Sequence, residues 1–187
     1  MELNITVPGE PIGKRVDQRV VGKRAIPYLK KKTRDYIELV AEHARHAVEA
    51  QGWIVGDGQT PLYIDIEAYF PVRQSWSKKR VVEALEGRYH TSTPDIDNIQ
   101  KGIYDGLVGP KIPGQARTHE AIVMMDDGQV AMCRISKLYC PLGEERVSIK
   151  VVELARGHSH PHFSYPQSGW SANRQHSDVL TSFASSS

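Results

Sequence analysis

Two short stretches hold the side chains that could do chemistry. In TSTPDIDNIQKGIYDGL, from Thr91 to Leu107, Asp95 and Asp97 stand two residues apart, followed by Asn98, Lys101 and Asp105. Further on, MMDDGQV contributes Asp126, Asp127 and Gln129. Hard cations such as Mg²⁺ prefer oxygen ligands and take one or two carboxylates, leaving the other positions to water and phosphate. Asp95 with Asp97, and Asp126 with Asp127, supply two such pairs. An ion held there would polarise a phosphate oxygen, activate water and steady the leaving oxygen. Lys101, one turn into a helix, could stabilise charge on a scissile phosphate. The same residues also have plain structural uses. An Asp at a helix start is a common cap, DDG is an ordinary turn signal, and Lys101 between Asp97 and Asp105 makes ordinary pairs four residues apart. The residues alone leave both readings open. They do exclude an EF-hand. Counting from Asp95, the fifth and sixth positions are Ile99 and Gln100, where that loop needs an oxygen ligand and a glycine.

The surrounding pattern must position these groups. Leu3–Val7 alternates apolar and polar and predicts a strand, which Pro8, Gly9, Pro11 and Gly13 then break. A basic loop is expected next. From Thr33, residues Tyr36, Ile37, Val40, Ala41, Ala44, Ala47 and Val48 recur at steps of three and four, a helix with Thr33 as N-cap and Gly52 as stop. Leu62–Phe70 is the clearest alternating strand. A short basic helix is expected over Ser75–Glu86, and another from about Asp97 to Leu107. On the latter, Asp97, Lys101 and Asp105 share one stripe while Ile99, Ile103 and Leu107 can face a core. Strands are expected over Ala121–Met125, Gln129–Tyr139 and Arg146–Leu154. The fold class expected is α/β (α+β), a small mixed sheet packed with two or three helices.

The chain has 187 residues, enough for one cored domain, and a formal net charge of +2. The charge is uneven, with nine basic residues against the single acid Asp17 between Lys14 and Arg34. Such a run creates local positive potential, although a solvated surface loop has the same composition. Cys133 and Cys140 are separated by six residues, which suits neither a redox pair nor a zinc knuckle. They read as thiols in a reducing compartment. No apolar run approaches the roughly 20 residues of a membrane span, and the N-terminal residues do not resemble a signal peptide. A cytoplasmic protein is expected. After Leu154 the composition shifts: residues 155–187 hold nine serines and four of the eight histidines. Domain 1–154 followed by a flexible Ser/His-rich tail over 155–187 is the organisation expected. His158, His160 and His162 lie in that tail and read as polar tail rather than metal site.

PDIDNIQKGIYDGL followed by DDGQV resembles the signature of the RusA family of Holliday-junction resolvases. In that family Asp-x-Asp-Asn, a Lys four after the second Asp, a further Asp and a later Asp-Asp-x-Gln-Val recur in this order. Lys137, SWSKKR (Ser75–Arg80) and the closing ERVSIKV also match. The resemblance covers about Ile5 to Leu154 and is strongest from Thr93 to Lys137. It implies a small α/β nuclease acting as a homodimer, using Mg²⁺ or Mn²⁺ to cut branched DNA, four-way junctions above all. It implies no organic cofactor and no membrane partner, and family members are bacterial, many carried by phages or prophages. Carried over by position, Asp95, Asp97 and Asp127 would be metal-binding catalytic carboxylates, with Asp126 as a further ligand, and Lys101 the essential basic residue. Asn98, Asp105, Gln129 and Lys137 would support them.

Two departures stand out. Pro94, preceded by Thr91, Ser92 and Thr93, occupies the position where the family pattern has arginines. Val108–Met125 is longer than in compact members. DNA contact is therefore expected from Lys14, Arg15, Lys30, Lys31 and Lys32 and from Lys78, Lys79 and Arg80, with Arg88 nearby. A junction has near two-fold symmetry, and a two-fold dimer supplies two equivalent sites for paired nicks. Two other functions fit the same residues: a branched-DNA binding protein without catalysis, and a nuclease preferring flaps or other branched DNA. Trp76 reads as a packing anchor or as a platform for an unpaired base. His43, His46, His90 and His119 read as non-catalytic.

Overall fold

Alternation of apolar and polar residues builds one sheet with a single greasy face. The computed structural model describes residues 1–87, 89–109 and 121–154. Its strands are β1 (Glu2–Pro8), β2 (Val16–Val21), β3 (Arg24–Leu29), β4 (Leu62–Pro71), β5 (Val130–Cys140) and β6 (Arg146–Glu153). Its helices are α1 (Lys31–Gln51), α2 (Lys78–Leu85) and α3 (Ile96–Val108). Four strands form a mixed sheet in the order β1-β6-β4-β5, and β2 and β3 form a separate hairpin. β1 and β4 run antiparallel to β6, whereas β4 and β5 run parallel. The architecture is α+β: a four-stranded mixed sheet and a hairpin with three helices. The described residues all fall within Met1–Arg156, and the tail expected over 155–187 lies outside them.

Leu62, Ile64, Ile66, Ala68 and Phe70 of β4 are buried together with Leu3, Ile5 and Val7 of β1 and Val147, Ile149 and Val151 of β6. Tyr36, Val40, Ala41 and Ala44 of α1 and Ile99, Ile103 and Leu107 of α3 close over that face. Each fully buried Leu, Ile or Val stabilises the fold by about 1.5–3 kcal/mol relative to exposure. α1 ends at Gly52, which adopts φ 64°, the left-handed conformation glycine enters without a Cβ penalty. The N-cap is Lys30 rather than Thr33, and its side chain makes no capping bond. Thr33 is instead buried within the first turn of the helix.

Two further expectations are corrected. The basic run is a β-hairpin, not a loop, with six cross-strand pairs from Val16–Leu29 to Val21–Arg24. Gly22 at φ 62° makes the turn, and the β-branched residues on both sides favour the extended chain. Ala121–Met125 is not a strand. Ile122, Val123 and Met124 are buried, but the Val123 amide donates to the Leu107 carbonyl at 2.9 Å and its carbonyl accepts from the Trp53 indole at 2.9 Å. Its backbone is satisfied by a helix end and a side chain, so it joins no ladder. The α2 and α3 helices, β5 and β6 lie where the sequence predicts them, within a few residues.

Parallel strands cannot be joined by a tight turn. The crossover from β4 to β5 therefore carries α2, α3 and the aspartate-rich start of α3. Buried Lys137 of β5 fixes that start: its ammonium donates to the carbonyls of Ser92 and Pro94, the latter at 2.7 Å. Burial pulls the Lys137 amine below its usual range, and the nearby Asp95 charge opposes that shift. Beside it, His90 stacks on Phe70 at 4.1 Å and its amide donates to the Lys137 carbonyl at 2.9 Å.

Two outcomes test this packing. A Cβ on Gly106 would lie 2.5 Å from Val40 Cγ1 and 3.1 Å from the Ile37 carbonyl oxygen. Overpacking of about 1–3 kcal/mol outweighs the gain of about 1 kcal/mol in helix propensity. Gly106→Ala therefore loses about 1 kcal/mol and about 3 °C in Tm; an unchanged or higher Tm would show that the two helices separate freely. Lys137→Met removes charge-assisted bonds worth about 1.5–3 kcal/mol each. Amide exchange across residues 99–102, whose N–H groups bond to the first turn of α3, should accelerate at least about ten-fold while the β1–β6 ladder keeps its protection; equal protection in both proteins would refute the clamp.

Candidate active site

Asp95 occupies the N-cap position of α3 with φ −71° and ψ 153°, yet its side chain makes no capping hydrogen bond. Its carboxylate is exposed and not consumed by the helix end. Asp97, in the first turn, accepts a 2.9 Å bond from Lys101. That bond, more than any other influence, holds the Asp97 carboxyl below its usual range. Asn98 contributes backbone: its carbonyl accepts from the Lys14 amide at 2.7 Å. The chain before β2 runs close here. A Cβ on Gly13 would lie 2.6 Å from Pro94 Cβ and 3.1 Å from Asn98 Cβ, so only a glycine fits without moving that start.

The second acidic pair sits just before β5. Asp126 accepts from the Gly128 amide at 2.9 Å and caps a single 3-10 turn over Asp127–Gln129. Buried Gln129 pins the turn: its Oε1 accepts from the Met125 and Asp126 amides at 2.7 and 3.3 Å, and its Nε2 donates to the Thr60 carbonyl at 3.1 Å. Every polar atom of this side chain is used to aim two exposed carboxylates.

Asp126 and Asp127 share a pocket with Lys14, Leu29, Arg34, Tyr104 and Asp105. Lys14 pairs with Asp105 at 2.5 Å, so the stripe read from the sequence is divided between two lysines, Lys101 for Asp97 and Lys14 for Asp105. The Tyr104 hydroxyl accepts from Gln100 at 3.0 Å. Burial, with smaller contributions from Cys133 and Asp127, pushes its ionisation above the usual range.

The two acidic pairs flank opposite ends of α3. Asp97 and Asp105 are eight residues apart, about 12 Å along a helix axis. Lys137 meets the start of α3, while Val130, which follows the Asp127 turn, lies seven residues back on the same strand, about 23 Å at strand spacing. Among the described residues no three His, Cys, Asp or Glu side chains are placed to hold one metal ion. The donor chemistry suits a hard cation, since all four groups are carboxylates; one chain does not bring Asp95, Asp97, Asp126 and Asp127 to one point.

The other described basic residues expected to contact DNA are exposed. Lys30 and Arg15 pair with Asp17 at 3.0 and 3.6 Å, and Lys31 with Asp35 at 2.6 Å. Lys32 is exposed on α1, and Lys78, Lys79 and Arg80 are exposed on α2. Arg80 lies 4.1 Å over the Trp76 ring, and Trp76 meets Tyr139 edge-on at 5.3 Å, which is packing. Arg88 and His119 lie outside the described residues. The sequence assigns no site role to Gly13, Arg34 or Tyr104. Only the Gln100–Tyr104 spacing carried a signal for them, because contacts between distant segments leave no local pattern.

No helix among the described residues is long and apolar enough to cross a membrane. Residues 8–152 match the family described as Endodeoxyribonuclease RusA. The chain is also 27% identical over 160 residues to the "Uncharacterized protein YqaN" of Bacillus subtilis (strain 168), covering 82% of this chain and 97% of that protein. A match across that much of the sequence assigns the fold described above: this chain belongs to the RusA endodeoxyribonuclease family.

Proposed function

We propose that the chain is a Mg²⁺- or Mn²⁺-dependent endodeoxyribonuclease that resolves Holliday junctions by paired symmetric nicks, working as a homodimer on branched DNA in the bacterial cytoplasm. One observation carries the reading: the exposed, uncapped Asp95 lies near Lys137, and the Gln129-pinned Asp126 and Asp127 share a pocket with Lys14 and Arg34, within a chain of a DNA endonuclease family. Exposed carboxylates beside cations suit a site that takes a phosphodiester and a divalent ion together.

Asp95, Asp97, Asp126 and Asp127 would hold the ion, which when bound lowers the pKa of water and polarises a phosphate oxygen. Lys101 would hold negative charge at the scissile phosphate once Asp97 turns from it to the ion. Lys14 would do the same for an adjoining phosphate, and Asp105 keeps its ammonium in the pocket until DNA arrives. Asn98, Gln129 and Lys137 position these groups through the backbone contacts described above. Lys30, Lys31, Lys32, Arg15, Lys78, Lys79 and Arg80 would contact phosphates along the arms, giving affinity with strong salt dependence and little sequence information.

The homodimer belongs to the same reading. The acidic pairs of one chain lie far apart, and a two-fold partner would set the Asp97 end of one protomer against the Asp127 end of the other. Each variant, Asp97→Asn or Asp127→Asn, should bind a four-way junction in EDTA and lose Mg²⁺-dependent cleavage by at least about 10³-fold, within the range for lost charge stabilisation. In an equimolar mixture of the two, a heterodimer keeps one site with both wild-type aspartates, so single nicking returns without paired resolution. Normal cleavage by either single variant would refute the assignment, and a mixture without nicking would refute the shared site.

A further inference from the structure

The β2–β3 hairpin stands apart from the core: none of its residues belongs to the buried cluster. Residues paired across the strands point to the same side. One face therefore presents Val16, Gln18, Val20, Ala25, Pro27 and Leu29, without charge, and the other presents Asp17, Arg19, Val21, Arg24, Ile26 and Tyr28. Asp17, the only acid there, is neutralised by Lys30 and Arg15. Among the described residues no acidic side chain pairs with Arg19, Lys23 or Arg24. Between those cations Ile26 and Tyr28 are 48% and 44% exposed. The hairpin base forms part of the acidic pocket, since Lys14 precedes β2 and Leu29 ends β3.

Unpaired cations beside exposed aromatic and aliphatic surface fit one class of partner well. Six residues per strand make a ribbon about 20 Å long, and a two-stranded ribbon fits the major groove of duplex DNA. Arginines reach phosphates, while Tyr28 and Ile26 offer flat apolar surface to bases or sugars. A second copy fits this face poorly, because self-pairing would bring two unpaired arginine patches together. We infer that the Arg19–Arg24–Tyr28 face of the hairpin grips an arm of the branched DNA and holds it over the Asp126–Asp127 pocket. The inference rests on the nuclease reading and specifies how the substrate is held.

The test measures binding of a fluorescein-labelled immobile four-way junction in EDTA, so cleavage plays no part, with sedimentation to follow protomer association. Arg19→Ala/Arg24→Ala should lower affinity about ten-fold at ~0.1 M salt and shrink the slope of log K against log salt by about 2, two phosphate contacts' worth. Tyr28→Ala should lower affinity at unchanged slope, and Val20→Ser, on the opposite face, should leave it within about two-fold, the scatter of a neutral change. If wild type binds and the double-arginine variant binds equally well, the inference fails and the nuclease reading stands. Val20→Ser weakening binding as much as the arginine pair overturns the choice of face. Loss of protomer association in the arginine variant identifies a second copy as the occupant and overturns it too. Wild type that binds no junction removes both readings.

Discussion

The parallel pairing of β4 and β5 is the constraint on which the other features depend. Strands that run the same way side by side need a connection that returns the full length of the sheet. Here that connection contains two helices, and its final helix lies over the apolar face with Ile99, Ile103 and Leu107 buried. Once α3 packs that way, its start lies beside Lys137 and its end beside the turn into β5. The separation of the two aspartate pairs is a direct product of sheet topology, and the uneven reach of one protomer follows from it.

Buried polar side chains do the aiming. Lys137, Gln129 and Trp53 lie in or at the edge of the core, and each spends its polar atoms on backbone of a segment without regular structure. Leaving such groups unpaired would cost about 1–3 kcal/mol apiece, so the loops are held in one arrangement by the same penalty that makes buried polar groups rare. The candidate carboxylates Asp95, Asp97, Asp126 and Asp127 stay exposed, and Asp97 and Asp105 take their counter-ions from lysines. Rigidity lies below the surface and exchangeable charge above it.

Much of this was legible in the sequence. β4 declares itself by strict alternation, α1 by its apolar spacing, and α3 by a stripe that separates its aspartates from Ile99 and Ile103. The family resemblance rested on residues within a short span, where spacing is informative. What escaped was governed by distance or by composition. Val16, Val20, Val21 and Ile26 gave a strand signal that the density of lysine and arginine obscured, so a hairpin read as a loop. Ile122 to Met124 looked like a strand because burial and extended conformation leave the same apolar run; only the partners of the Val123 backbone separate them. The division of Asp97 and Asp105 between Lys101 and Lys14 involves a residue more than eighty positions away, which no local spacing records.

One position ties these regions together. Because a lone hydrogen on Gly13 faces Pro94 and Asn98, and the next amide is bonded to the Asn98 carbonyl, the foot of the projecting ribbon and the threshold of the acidic helix share a seam with no slack. Any side chain at position 13 would pry that seam open, and the ribbon's foot and the Asp95 turn would part.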